Sequence, residues 1–251
     1  MTEPVDAYIK GIHKKFRFYA NWLPNAPRAL GDVGTLNGKK FERFTTLAAL
    51  GVTFETRKGD PGQDYAHTSG SSVDLRIKLG GEALPGSTLE VGKAGASVSF
   101  ASSGAFVFQA SAPAQDEIED QLALEKALLE HPKWKPEWCV ITRLVRAERL
   151  TVMVSESSNA EVEIEAEANL KVSSVVPLAE AELGLVVKRQ KGQVTSLLSA
   201  VGTTPLLGLS RMRQSWVDWL LSRDPHLGRA GLDDDAAPPK EPLLEDVQPE
   251  E

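Results

Sequence analysis

The sequence holds a single cysteine, Cys139, so it cannot build an internal disulfide framework, and a lone thiol suits a reducing compartment. It lacks any apolar run of about 18 residues, the length that a membrane-spanning helix needs. Its opening, Met1-Thr2-Glu3-Pro4, has no basic stretch followed by an apolar one. No signal peptide is therefore expected, and the inactive chain is expected in the cytoplasm. A basic surplus is also lacking. The net charge is −7, and residues 232–251 carry eight acids against Lys240 alone. The other 231 residues balance at 27 acids and 27 bases. A neutral body with an acidic tail argues against nucleic acid as a partner, because that needs a basic domain or stripe. The tail has few large apolar residues and is expected to be disordered.

The signatures of catalysis are missing too. His13, His67, His131 and His226 lie far apart, with no second ligand at metal-binding spacing, so no metal or cofactor is expected. Cys139 stands in an apolar string between Trp138 and Val140 and reads as a buried structural thiol. There is no Gly-x-Ser-x-Gly elbow, and the stretch 68–72 reads as a loop. Gly31, Gly34 and Gly38 are wrongly spaced for a phosphate loop. Asp74, Glu90 and Lys93 are poorly spaced for a nuclease triple. The chain is not expected to be an enzyme.

What is present is strand patterning between helices. In residues 5–18, Val5, Tyr8, Ile9, Ile12 and Phe16 gather on one helical face. Lys10, His13, Lys14, Lys15 and Arg17 make this the main basic cluster, either a solvated face or a contact for anionic lipid. Val73, Leu75 and Ile77 alternate with polar residues as a half-buried strand. Ser102-Ser103-Gly104, between 96–100 and 105–110, predicts a hairpin. A helix is expected over 118–129, with Ile118, Leu122, Leu124, Ala127, Leu128 and Leu129 as its apolar stripe and Asp116 and Glu117 at its start. Residues 139–145 and 150–154 read as one long strand or two. Residues 160–168 alternate fully, with Glu161, Glu163, Glu165 and Glu167 on one face. A three-residue loop at 157–159 predicts a hairpin that pairs Val154 with Val162, Val152 with Ile164 and Leu150 with Ala166. Further strands are expected at 184–187, 194–198 and 206–209, with turns at Lys191-Gly192 and Gly202-Thr203, before a short apolar helix at 215–221. The fold class is α+β: a large, twisted, mostly antiparallel sheet with a central helix and helices near both termini. Residues 1–212 are expected to form one domain, 213–231 a helical segment and 232–251 the acidic tail.

Alternation of this kind has two readings. One face packs on a core and the other meets water, or one face meets lipid and the other lines an aqueous lumen. The order of elements resembles the gasdermin pore-forming domain family, including its short bacterial members. The resemblance is carried by Gly31-Asp32-Val33-Gly34, the helix 118–129, the string 138–152, Gly184-Leu185-Val186-Val187-Lys188 with Val194-Thr195, and 204–209, together spanning roughly residues 28–212. It implies a twisted antiparallel sheet, a helix followed by a strand entered by an aromatic, and long amphipathic hairpins that insert into a membrane. It also implies a C-terminal inhibitory segment removed by an activating protease, a homo-oligomer in the active state, and a role in cell death or antiviral defence at the inner membrane. Bacterial relatives carry a lipidated cysteine near the N-terminus, and this sequence has none there. On this reading Val73, Leu75, Ile77, Val98, Phe100, Val152, Val154, Val162 and Ile164 face lipid, while Glu161, Glu163, Glu165 and Glu167 line the pore. Trp216, Trp219 and Leu220 belong to the inhibitory segment, and Lys10, Lys14, Lys15 and Arg17 meet anionic lipids. The alternative is a soluble, non-enzymatic α+β protein-binding module with an acidic regulatory tail, anchored by Trp216 and Trp219.

Overall fold

The computed structural model describes residues 3–78, 87–90, 93–166, 170, 174–179, 185–222, 239 and 241–249. Helix α1 runs Pro4–Phe16, with proline in its first turn and Arg17 closing it in a left-handed conformation (φ 61°). Tyr8, Ile9 and Ile12 are fully buried, as the spacing predicts, and His13 is buried with them rather than sharing the basic face. Helix α2 runs Gln121–Leu129, and the side chain of Asp120 caps it by accepting from Ala123 N at 2.9 Å. It therefore starts later than 118, because Asp116, Glu117 and Ile118 are used in a strand. Within the helix only Leu124 and Leu128 of the expected stripe are buried, and Leu122 is 78% exposed, while Ile118 is buried in the strand before it. Helix α3 is Gln214–Ser222.

Among the described residues there are fourteen strands. They are β1 (Tyr19–Ala20), β2 (Asp32–Asn37), β3 (Lys40–Thr46), β4 (Thr56–Arg57), β5 (Tyr65–Thr68), β6 (Val73–Lys78) and β7 (Gly95–Phe100). Then come β8 (Phe106–Ser111), β9 (Ala114–Ile118), β10 (Cys139–Ser155), β11 (Ala160–Ala166), β12 (Leu185–Lys191), β13 (Val194–Met212) and β14 (Leu244–Asp246). All described pairings are antiparallel, and the fold is α+β as expected. A ten-stranded sheet is organised on β10, flanked by β13 on one edge and by β2, β9 and β8 in turn on the other. A four-stranded sheet has the order β12-β11-β7-β6. Residues 139–155 are thus one strand, and Gly202-Thr203 lies inside β13 rather than in a turn between strands. Next to it Thr204 and Pro205 together oppose Arg146, a bulge where the register against β10 slips between Val145 and Ala147.

Two expected hairpins do not form. Leu150 lies between Ala200 of β13 and Ala110 of β8, so both edges of β10 are taken before the chain reaches the 157–159 turn. Asn159 (φ 55°) turns the chain into the second sheet, where Val162 pairs with Val98 and Gln190 instead of Val154. Likewise β7 and β8 do not pair across Ser102-Ser103-Gly104 but lie in different sheets. Alternation fixes which face a strand presents. It does not name the partner.

Three main cores result. On one face of the large sheet, Tyr8, Ile9 and Ile12 pack with Phe106, Phe108, Leu150, Val152 and Val154. Between the sheets lie Val107 and Met153 of the large one and Ala96, Val98, Phe100, Ala160, Val162 and Ile164 of the small one. At the far end, α2 packs Leu124 and Leu128 beside Val33, Val140 and Met212. Cys139 is buried in the first core, and burial pushes its thiol up to about 11, which agrees with a structural role.

Candidate functional site

The small sheet is the continuation of four neighbouring strands of the large one. Across the large sheet these strands run β5-β8-β10-β13, and across the small sheet they run β6-β7-β11-β12. Each pair is joined by a short corner at 69–72, 101–105, 156–159 and 192–193. Every corner contains one residue at positive φ: Gly70 (71°), Gly104 (79°), Asn159 (55°) and Gly192 (78°). The ladder stays connected through the bend. Ser69 N donates to Phe106 O (3.1 Å), Gly104 N to Ser155 O (2.7 Å) and Glu156 N to Gln193 O (2.8 Å). The central register also survives: Phe106 faces Val154 before the corner, and Phe100 faces Ala160 after it, six residues further along each strand.

In the small sheet the apolar positions form rows. Val73, Phe100 and Ala160 are in register, as are Leu75, Val98 and Val162, then Ile77, Ala96 and Ile164. All lie in or against the core between the sheets. Val152 and Val154 instead sit under α1 on the other face of the large sheet. The structure therefore gathers seven of the nine residues assigned to lipid-facing positions and separates two.

The glutamate face differs from a solvated row. Glu161 is half-buried, but Glu163 and Glu165 are 6% exposed. Residues 87–90 and Lys93 lie against them. Thr88 donates to Glu163 through its backbone N–H (3.2 Å) and its hydroxyl, and Lys93 Nζ meets Glu165 Oε1 at 2.8 Å. Lys188 also reaches Glu165, at 3.1 Å, while the fully buried Lys78 donates to the carbonyls of Leu89 and Glu90. Glu167 lies outside the described residues. Hydrogen bonding from Lys93, then Lys188, holds the Glu165 carboxyl below its ordinary value of 4.5, against the opposing effect of burial. That contribution to stability is complete above about pH 4.5 and is lost as pH falls through the lower folded value. Glu165→Gln is thus expected to flatten the acid limb of a plot of urea midpoint against pH. Parallel acid limbs for the two proteins would contradict this clasp.

Lys10, Lys14, Lys15 and Arg17 are exposed on α1 and make no ion pair among the described residues. At the other terminus, Trp216 is partly buried in the α2 core and packs against Trp219, ring centroids 5.5 Å apart. The side chain of Leu220 lies outside the described residues. The acidic tail is not disordered throughout. Its strand β14 pairs with β13, and Leu243 and Val247 are each 3% exposed. Two apolar residues spaced four apart supply the burial that the tail's charge count conceals.

Among the described residues, no group of three or more His, Cys, Asp and Glu side chains could hold a metal ion. No described helix is long and apolar enough to cross a membrane, which says nothing of crossing by strands. No protein-family model matches the chain, and no curated protein matches it. Among solved structures, the cryo-EM structure of the gasdermin A3 membrane pore is similar over 85% of this chain and 91% of that one, with 11% identity and a TM-score of 0.31. The superposition is loose. Sequence reasoning missed Thr88 and Lys93 as partners of the glutamate face, Lys78 as the anchor of the residues that lie against it, and Glu125, Arg143 and Arg211 as partners of the tail. Lys78 carried a signal, being a charge at the end of an otherwise half-buried strand, but the others are joined only by the fold.

Proposed function

We propose that this protein is an autoinhibited pore-former whose bent four-stranded ladder straightens when its C-terminal segment is released. The reading is supported above all by the matched strand order on either side of one line of corners. If the corners extend, the distal spans 69–78, 95–105, 156–166 and 185–193 contain 10, 11, 11 and 9 residues. A tilted strand crosses a bilayer in about 9–11 residues. With strict alternation restored, Val98 and Phe100 fall on the same face as Phe106 and Phe108. Val162 and Ile164 likewise join Val152 and Val154, so the nine lipid-facing residues come onto one surface. Opposite them, the rows Asp74-Ser99-Glu161-Lys191 and Arg76-Ser97-Glu163-Arg189 line the lumen with mixed charge, tempering the contribution of Glu161, Glu163, Glu165 and Glu167. The edges at β6 and β12 have no strand partner among the described residues, so successive copies can pair there and close a barrel.

The resting chain is cytoplasmic on this reading. An activating protease removes the C-terminal segment, the basic face of α1 holds anionic lipid, and the homo-oligomer opens the inner membrane in a defensive cell death. The test is inducible bacterial expression of the full chain and of a chain ending at Met212, with uptake of a membrane-impermeant dye. Killing and dye entry are expected from the shorter chain alone. Two harmless proteins, with the shorter one folded and soluble, would overturn the pore.

The corner residues offer a graded test. A Cβ at Gly70 meets nothing within 4 Å, so Gly70→Val isolates the conformational cost of a β-branched residue at φ 71°. That cost is about 1–2 kcal/mol against the bend. A lower melting temperature and faster leakage by the released protein are expected. A variant that melts lower but leaks no faster separates the corner from insertion.

The docking of the tail strand β14 on the edge of β13 favours a second reading, a non-enzymatic binding module for a protein partner. Such a module without its tail stays soluble beside anionic vesicles, whereas a pore-former releases their dye.

A further inference from the structure

The tail is held as a ligand is held. Its backbone adds to the edge of β13, with Leu244 opposite Met212, Glu245 opposite Arg211 and Asp246 opposite Ser210. Arg213 N donates to Leu243 O (2.8 Å) and Val247 N to Leu209 O (2.9 Å), extending the ladder at both ends. The Glu125 carboxylate on α2 accepts from the N–H groups of both Leu243 and Leu244, each at 3.2 Å. Leu243 enters the core beneath α2, and Val247 enters the separate core beneath α1. Between these anchors the two acids meet three arginines. Arg143 lies 2.7 Å from Asp246, while Arg211 and Arg213 lie 3.4 and 3.5 Å from Glu245. The tail is also tied at its start, where the Trp216 indole N–H donates to Glu241 O at 2.9 Å.

Backbone pairing along one sheet edge, with pockets for alternate or spaced side chains, is how a protein reads an extended peptide. We propose that this groove is an exchangeable peptide site. Residues 241–249 fill it in cis, and an extended acidic segment of a partner protein, with apolar residues four apart around two acids, fills it in trans. Such a partner releases the tail without a cut. The inference rests on the groove and goes beyond the pore reading.

The test uses the full chain with a protease site introduced between residues 229 and 236, cut in the absence of membranes. The probe is a fluorescent synthetic peptide of residues 241–251. After the cut, the tail fragment is expected to stay with the body through gel filtration at micromolar concentration and to be exchanged by excess probe. Probes carrying Leu243→Asp or Val247→Asp leave the protein untouched and are expected to bind at least tenfold more weakly. In the protein, Glu125→Gln is expected to speed loss of the fragment about tenfold, the scale for a hydrogen bond to a charged group. Loss of the fragment at once on cutting overturns the proposal. So does failure of excess probe to exchange with it, or equal binding by the wild-type and substituted probes. Vesicle leakage is read separately, so exchange without leakage would sink the pore reading and leave the groove standing.

Discussion

Val162→Arg is expected to abolish the resting fold, while Glu161→Gln one residue away leaves it intact. Val162 is fully buried between Val98 and Gln190, in the core that joins the two sheets. An arginine there would bury an unpaired guanidinium, and a substitution of that kind costs about 4–5 kcal/mol or more. A protein whose total stability is about 5–15 kcal/mol retains little after that loss. Glu161 is half-buried on the other face of β11, in register with Ser99 and the exposed Lys191, so its loss costs at most the roughly 0–1 kcal/mol of a surface ion pair. The readout is thermal unfolding followed by circular dichroism, where each kcal/mol moves the midpoint of a chain this size by about 2–4 °C. A fall of about 10 °C or more, or no cooperative transition at all, is expected for the arginine variant. Midpoints shifted equally by the two substitutions would contradict the face assignment on β11. The arginine variant therefore cannot serve as a clean probe of insertion, because the face that would meet lipid is already the inner face of the resting protein.

The same strand shows what was legible beforehand. The alternation from Ala160 to Ala166 correctly places Val162 and Ile164 on an apolar surface and the glutamates on the other. That follows from a strand's two-residue period, which is written in the sequence itself. The partner of β11 was not legible. A short polar loop at 157–159 satisfies a hairpin locally, and nothing in the string 150–168 records that β8 and β13 already occupy both edges of Leu150. The amphipathic stripe of α1 was readable for the same reason of period. By contrast, the 118–129 helix was overextended, because Ile118 fits a helical stripe as well as it fits the buried face of β9. The tail was misread through composition. Eight acids suggest disorder, yet Leu243 and Val247 suffice to dock a strand once Glu125, Arg143, Arg211 and Arg213 are brought beside it by α2, β10 and β13.

Replacing Lys10, Lys14, Lys15 and Arg17 together by glutamine is expected to cut partition onto anionic vesicles about a thousandfold. Each basic residue near an anionic surface contributes about 1 kcal/mol, so four contribute about 4 kcal/mol. That energy corresponds to about three powers of ten in affinity. The substitution removes little from the fold, because all four side chains are exposed while Tyr8, Ile9 and Ile12 carry the packing of the helix. Loss of cations from the last turn costs about 0.3–1 kcal/mol each at most. The measurement is cosedimentation with vesicles of mixed neutral and anionic lipid, repeated at rising salt, which weakens an electrostatic contact by screening. Vesicles of neutral lipid are the control and should bind wild type and variant alike. Because these four residues are exposed in the resting structure, the uncut chain is expected to bind anionic vesicles without releasing their contents. On the proposed pore reading, binding belongs to the face of α1, and release belongs to the corners and the tail. Partition that survives all four substitutions would remove α1 from the membrane contact. A resting chain that leaks on binding would show that the tail does not restrain the ladder.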